Sequence, residues 1–209
     1  MFLKPSTLVV PTFSKDYPEW HHGREHFSLW YIDIEHPELL AYLQQLRTDF
    51  SHFLYTPNTR QFHISLFICG FLTAQPPVWD DDFGIETLHQ HIQALSKDVP
   101  HSIQLKTGQI NSFESALFVE VIDEDGVLVK LRNILGQNCH EIAPLEYCPH
   151  VTLGVYKQND SSDLIFNHME TIEQKSFEFS VRQLTFGTYQ ARVLQGQLDP
   201  FHQFLLGDA

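Results

Sequence analysis

Apolar residues recur along this chain with two different periods, and the changes of period mark the predicted elements. Stretches that alternate apolar and polar residues, or that are rich in β-branched and aromatic residues, predict strands. They cover residues 27–34, 61–71, 102–110, 116–122, 147–156, 177–186 and 193–198. Apolar residues three or four positions apart predict helices over 37–50, 84–97 and 126–137.

The order of these elements indicates the fold class. A strand–helix–strand unit occurs twice, and further strands follow each copy. This order is typical of an α+β protein with two similar lobes, and it differs from a doubly wound parallel sheet. We therefore expect an irregular N-terminal segment over residues 1–24 and a single bilobal domain over residues 25–209.

The charge balance narrows the choice of partners. The chain has 13 Lys and Arg against 26 Asp and Glu, a net charge of −13 with histidines neutral. Binding long duplex nucleic acid requires clustered Lys and Arg, so no such partner is expected. A small phosphate ester in one locally positive pocket fits the same composition. The 13 histidines equal Lys and Arg combined, and histidine is the side chain that changes charge near neutral pH.

Hydropathy and cysteine usage predict the compartment. No run of 18 apolar residues predicts a membrane span, and the first residues do not resemble a signal peptide. The cysteines, Cys69, Cys139 and Cys148, are odd in number and lack CxxC spacing, so neither a disulfide framework nor a thiolate zinc site is expected. We expect a cytoplasmic monomer with reduced thiols.

Two predicted strands in equivalent places carry the same short motif. One reads His63-Ile64-Ser65-Leu66 and the other reads His150-Val151-Thr152-Leu153. Because side chains alternate along a strand, each imidazole lies on the same face as its hydroxyl, and the aliphatic residues lie on the opposite face. If the two lobes face each other, both pairs meet in one cleft.

This constellation suits acid–base chemistry on a phosphodiester. A neutral imidazole takes a proton from the attacking group, and a protonated imidazole donates one to the leaving oxygen. The reference pKa of histidine, about 6.5, makes both forms accessible near neutral pH. The hydroxyls of Ser65 and Thr152 bind the non-bridging oxygens, where charge develops in the transition state. The scheme requires no metal and no cofactor.

In these motifs the chain resembles the 2H phosphoesterase superfamily, which includes the 2′-5′ RNA ligase and cyclic phosphodiesterase group. FHISL and PHVTL match its paired His-x-(Ser/Thr)-x motifs, and the order of elements matches over roughly residues 25–200. The resemblance implies two lobes of antiparallel sheet, helices packed outside and a central cleft. It implies catalytic His63 and His150, with His150 as base and His63 as acid, and substrate-binding Ser65 and Thr152. It also implies opening of 2′,3′-cyclic phosphates of nucleotides or RNA ends to 2′-phosphates, with reversible 2′-5′ ligation as a side activity.

Two other functions fit the same motifs. One is exonucleolytic trimming of RNA 3′ ends, which requires a basic, aromatic track to the cleft. The other is a nucleotide-binding module with little turnover, although the presence of all four motif residues disfavours it. A third His-x-Ser match at His26 follows Glu25 instead of an apolar residue, and we interpret it as a decoy.

Other polar and aromatic groups carry weaker signals. His21, His22 and His26 are expected to be exposed loop histidines, because their spacing does not fit a helical metal motif. Residues 80–82 form a predicted solvated acidic loop. For Arg60 and Lys157, which flank the motif strands, a contact with a second phosphate and a plain surface role fit equally well. Base stacking is one role open to four aromatic residues that are otherwise core candidates: Trp30, Phe67, Tyr156 and Tyr189.

Overall fold

One curved sheet with helices on one side organises the chain. The computed structural model describes residues 1–13, 20–98, 102–142 and 146–207. In these residues the strands are β1 (His26–Asp33), β2 (His63–Thr73), β3 (Asp82–Gly84), β4 (Ile103–Ser112), β5 (Ala116–Ile122), β6 (His150–Val155), β7 (Glu178–Val181), β8 (Gln183–Gln190) and β9 (Asp199–Leu205). The helices are α1 (Pro37–Asp49), α2 (Ile85–Asp98), α3 (Val127–Leu135) and α4 (Ser162–Glu170).

The strand order explains the two lobes. Hydrogen-bonded neighbours follow the order β7-β4-β5-β6-β2-β1-β8-β9, and β3 is added beside β2. Strand pairs along this order are antiparallel, whereas β2 and β3 are parallel. The two halves join where β2 meets β6, through the registered pair Ile64↔Val151. The α+β, bilobal prediction is confirmed, and the two motif strands form the junction between the lobes.

The helices cover one face of the sheet across this junction. α1, which follows β1, packs against β6, and α3, which follows β5, packs against β2. Ile64, Leu66, Val151 and Leu153 are 0% exposed within the core beneath the helices. Burial of these aliphatic rows fixes the register of both strands, because a shift of one residue would turn them to the opposite face.

The N-terminal residues pack on the second half of the sheet. Phe2 forms an isolated bridge with Phe113, and Leu8 forms one with Ser161. Leu3 and Val9 are buried in the main core. Residues 1–10 therefore contribute to the packing of the lobe that carries the second motif, and residues 14–19 lie outside the described part of the chain.

Several predicted elements were wrong. The predicted strand 177–186 is two strands, β7 and β8, which pair at distant places in the sheet with β4 and β1. The predicted strand 193–198 is a turn, and β9 begins only at Asp199. Helix α4 and the short strand β3 were not predicted. In the predicted acidic loop, Asp81 and Asp82 are not simply solvated, because both form ion pairs with Arg24.

Candidate active site

The junction of the lobes brings the two motifs onto one face. Since Ile64 and Val151 form a registered antiparallel pair, the flanking residues face each other in reversed order: His63 lies across from Thr152, and Ser65 across from His150. The two histidines are then diagonal neighbours, at a spacing of about 7–8 Å between positions. A single phosphate group between them is within reach of both rings.

His63 is held in one tautomer. Its Nδ1 lies 2.8 Å from the carbonyl oxygen of Gln61, which only accepts, so Nδ1 carries the proton and donates. The other ring nitrogen, Nε2, lies 3.3 Å from Ser65 Oγ. Nε2 is therefore the atom that accepts a proton from substrate or water, with the Ser65 hydroxyl beside it.

The surroundings of His63 disfavour its charged form. Burial, followed by the positive charges of Arg60, His150 and Arg47, lowers its pKa to about 4, against the opposing effect of the hydrogen bond to Gln61. At neutral pH His63 is uncharged in the empty site.

His150 repeats the arrangement in a more aromatic setting. Its Nδ1 donates to the carbonyl oxygen of Cys148 at 2.7 Å, so Nε2 is again the accepting nitrogen. Its ring packs 5.0 Å from each of the Phe113 and Phe118 rings, centroid to centroid. Burial lowers the pKa of His150, opposed by the hydrogen bond to Cys148.

A cavity of about 330 Å³ opens over the β2 side of this face. Its lining includes three of the four motif residues: His63, Ser65 and Thr152. The remaining lining is polar on one side and apolar on the other, and it includes Trp20, Arg47, Asn58, Arg60, Gln61, Tyr189, Ala191, Val193 and Gln195. His150 is not part of this lining and lies beyond the edge of the cavity.

Arg47, from the last turn of α1, ties the two motif strands together. Its Nε donates to the carbonyl oxygen of Leu153 on β6 at 2.9 Å. Its terminal nitrogens each lie 3.3 Å from the carbonyl oxygen of Arg60, three residues before His63. The guanidinium thus supplies hydrogen bonds at a place where the two strands have begun to separate, and burial lowers its pKa to about 10.

A second polar link comes from the loop after β8. Gln195 Oε1 accepts from the Val155 backbone N–H at 2.8 Å and from Asn58 Nδ2 at 3.2 Å. Gln195 Nε2 donates to the carbonyl oxygen of Tyr55 at 3.1 Å. The side chain, which is only 8% exposed, satisfies backbone groups at the end of β6 that no neighbouring strand reaches. Sequence patterns had indicated no role for either Arg47 or Gln195.

Tyr31 forms the floor beside His63. Its ring meets the imidazole edge-on, with 5.6 Å between ring centroids, and it is 1% exposed. Gly187 on β8 makes room for it: a Cβ there would lie 3.0 Å from Tyr31 Cε1 and 2.7 Å from the carbonyl oxygen of Asp199. Close packing on this side fixes the position of the His63 ring.

The other candidates from the sequence differ in burial and in whether they line the cavity. His26 is exposed at the start of β1 and does not line the cavity, whereas His21 is buried, contrary to its predicted exposure. Of the two flanking cations, Arg60 lines the cavity and Lys157 does not. Among the four aromatic candidates, Trp30, Phe67 and Tyr156 are core residues, and Tyr189 lines the cavity.

The described residues were also compared with the requirements of a metal site and of a membrane-spanning helix. Within the described ranges, no three His, Cys, Asp or Glu side chains converge as a set of metal ligands. None of the described helices has the length and hydropathy needed to cross a membrane.

One comparison with known proteins shows the family, and another shows the fold. A family model described as the 2′-5′ RNA ligase superfamily matches residues 35–192, most of the chain. Escherichia coli LigT complexed with 3′-AMP is similar at 15% identity and a TM-score of 0.59, covering 87% of this chain and 98% of that one. The Thermus thermophilus protein TT0787 is similar at 13% identity and a TM-score of 0.53, covering 87% and 98%. At these identities the structural likeness shows the fold alone, and no curated protein matches the chain in sequence.

Proposed function

The chain belongs to the 2′-5′ RNA ligase superfamily, and on that premise we propose that it hydrolyses the 2′,3′-cyclic phosphate of nucleotides or RNA ends to a 2′-phosphate. The observation that carries this proposal is the pairing of two histidines on one face, each with Nδ1 bound to a backbone carbonyl and Nε2 available. One phosphodiester between them has a proton acceptor and a proton donor within reach.

The proton balance of the step is simple. A water oxygen attacks phosphorus and its proton passes to the neutral imidazole, while the P–O3′ bond breaks and O3′ takes a proton from the charged imidazole. The product is a 2′-phosphate monoester with a free 3′ hydroxyl. With a 5′ hydroxyl in place of water, the same two groups in the same roles would join that hydroxyl to the cyclic phosphate through a 2′-5′ linkage, and reversed roles would cleave that linkage. General acid–base catalysis of this kind typically contributes about 10²–10⁴-fold in rate.

The charges near the two motif histidines favour one assignment of the acid and the base. Arg60 and Arg47 stand near His63 and oppose its protonation, whereas only burial lowers the pKa of His150. We therefore assign His63 as the base and His150 as the acid, the reverse of what the family resemblance implies. Ser65 and Thr152, facing the same space, donate hydrogen bonds to the non-bridging oxygens as charge develops on them.

The shape and charge of the cavity favour a small substrate. Its volume, about 330 Å³, is at the lower end of small-ligand sites. Tyr189 and Trp20 add aromatic surface to the lining, which suits a nucleotide base. We propose a mononucleotide or the end of an RNA strand as substrate, in the cytoplasm, with the protein acting as a monomer.

The direct test is incubation of the protein with nucleoside 2′,3′-cyclic phosphates in excess EDTA, followed by ³¹P NMR of the products. We expect conversion to 2′-phosphates. Binding of these nucleotides without turnover by the folded protein would instead identify a binding module. Stepwise shortening of RNA that ends in a 3′ hydroxyl, with cyclic phosphates left intact, would identify an exonuclease.

A further inference from the structure

Arg60 presents a positive charge to the cavity from the segment that leads into β2. Its Nε donates to the carbonyl oxygen of Gly196 at 2.9 Å. Its guanidinium carbon lies 4.0 Å from the centroid of the Tyr189 ring, so the group is stacked on an aromatic face. These contacts fix the position of the guanidinium.

Arg47 stands on the same side and strengthens the positive field. Its guanidinium carbon lies 3.9 Å from the Phe62 ring centroid, and its described hydrogen bonds all go to backbone carbonyls. Both arginines line the cavity together with His63, and both lower the pKa of that histidine. Their charges are therefore felt at the proposed catalytic centre.

Neither of these guanidinium groups has a carboxylate partner among the described residues. The other two partly buried arginines do: Arg24 forms ion pairs with Asp81 and Asp82, and Arg132 forms one with Glu141. In a chain with twice as many acidic as basic residues, two half-buried cations without a counter-ion are a costly arrangement. Burial lowers the pKa of both, and for Arg60 the neighbouring Tyr189 acts in the opposite direction.

We propose that Arg60, supported by Arg47, binds a second phosphate of the substrate: the phosphate on the 5′ oxygen of the nucleotide whose 2′,3′-cyclic phosphate lies between the histidines. This inference rests on the proposed function. The cleaved phosphate has its own donors in Ser65 and Thr152 on the motif strands. Arg60 is held instead by Gly196 and Tyr189, which lie outside the motif strands, and its planar fork suits a phosphate other than the cleaved one.

Two kinds of substrate carry a phosphate at this position. A 5′-phosphorylated mononucleotide carries it as a monoester, and an RNA 3′ end carries it as the diester to the preceding nucleotide. Three substrates with the same base separate these sources: the nucleoside 2′,3′-cyclic phosphate, its 5′-phosphorylated form, and a dinucleotide that ends in a 2′,3′-cyclic phosphate.

The experiment measures kcat/KM on all three substrates for wild type, Arg60→Gln, Arg60→Lys and the control Arg182→Gln. Arg182 is exposed and does not line the cavity. We expect wild type to prefer at least one phosphate-bearing substrate, and Arg60→Gln to reduce that preference by about 10-fold or more, as for loss of a hydrogen bond to a charged group. Arg60→Lys should keep part of the preference because it keeps the charge, and Arg182→Gln should keep all of it.

The results that would overturn the assignment of Arg60 can be distinguished from a failure of the proposed hydrolysis. Equal hydrolysis of the three substrates by wild type, or an equal loss on all three in Arg60→Gln, would overturn the assignment of Arg60 to a second phosphate. Calorimetric binding of a nucleoside 3′,5′-bisphosphate against the nucleoside 3′-phosphate provides a readout without turnover. If no cyclic phosphate is hydrolysed but the bisphosphate binds more tightly in an Arg60-dependent way, the second-phosphate site stands and the proposed reaction fails.

Discussion

His63 and His150 are held in the same tautomer by the same local hydrogen bond. Each donates from Nδ1 to the carbonyl oxygen two residues earlier in the chain, Gln61 at 2.8 Å and Cys148 at 2.7 Å. Because the bond is local, each motif orients its own imidazole without a hydrogen bond from the other lobe. The contact between lobes then has to provide only the spacing between two rings that are already oriented.

The pH dependence of the reaction should lie on the acid side of neutrality. The active form has one motif histidine protonated and one neutral. The environment lowers the pKa of His63 to about 4 and lowers that of His150 below its usual 6.5, so the singly protonated form is most populated above about pH 4 and below pH 6.5. We expect kcat/KM, which reports on the free enzyme, to fall as the pH rises above that value. A profile from pH 4.5 to 8.5 that has its maximum above pH 7.5 would contradict this.

A substrate with an improved leaving group should distinguish the acid from the base. When sulfur replaces the 3′ oxygen of the cyclic phosphate, the leaving group no longer needs a proton. If His150 is the acid, His150→Ala should regain much of its lost activity on this substrate, whereas His63→Ala should not. Rescue of His63→Ala alone would reverse the two roles.

Removal of the Gln195 side chain should loosen the end of β6. In Gln195→Ala the Val155 N–H and the Tyr55 carbonyl lose their partner in a buried region. We expect a loss of about 1–3 kcal/mol in the free energy of unfolding, the usual cost of unpaired buried polar groups. Urea denaturation measures it, and Gln197→Ala, at an exposed neighbouring position, is the matched control. Equal stability of the two variants would show that Gln195 does not hold the strand.

A methyl group at position 187 should disturb the floor of the site. In Gly187→Ala the new Cβ would lie 2.7 Å from the Asp199 carbonyl oxygen and 3.0 Å from the Tyr31 ring, so one of them must move. We expect destabilisation of about 1–3 kcal/mol, typical of overpacking, together with reduced kcat because Tyr31 contacts His63. The control is Gly84→Ala, whose Cβ would meet nothing closer than 3.9 Å. Unchanged stability and kcat in Gly187→Ala would show that the site tolerates movement of Tyr31.

Local sequence was enough to predict the motif strands. The alternation at His63-Ile64-Ser65 and at His150-Val151-Thr152 indicates which side chains face the core, and the structure buries Ile64 and Val151 completely. Residues separated by two positions share a face in any strand, whatever its partner. The direct pairing of β2 with β6 was not predicted, because the expectation was only that both motifs meet in one cleft if the two lobes face each other.

The supporting residues could not be predicted in this way. Arg47 lies in the last turn of α1, where a cation is ordinary because it interacts favourably with the helix dipole. Its contacts with Leu153 and Arg60 depend on how α1 crosses onto the other lobe. Gln195 lies in a turn after β8, and its bond to Val155 joins positions 40 residues apart. Interactions of this range leave no periodic signal in a single sequence.

The helices and strands that were predicted wrongly have local causes in the sequence. α4 has only nine residues, and its two buried apolar positions, Ile165 and Met169, are too few to establish a helical period, although Ser161 is a normal N-cap. The stretch 177–186 alternates on either side of Arg182 and Gln183, where the phase of the alternation changes, and there the chain leaves β7 and enters β8. The stretch 193–198 has apolar residues that suit a strand, yet Gln195 has a positive φ of 53° and the chain turns there.

The central claim, catalysis by a pair of motif histidines, is tested most directly by the rate of 2′,3′-cyclic nucleotide hydrolysis in excess EDTA. Wild type is compared with His63→Ala, His150→Ala and His26→Ala, after each variant is shown to be folded. We expect activity that survives chelation, a loss of about 100-fold or more in each motif variant, and the wild-type rate in His26→Ala. Near-wild-type activity in His63→Ala or His150→Ala, or a collapse in His26→Ala, would contradict the two-histidine site.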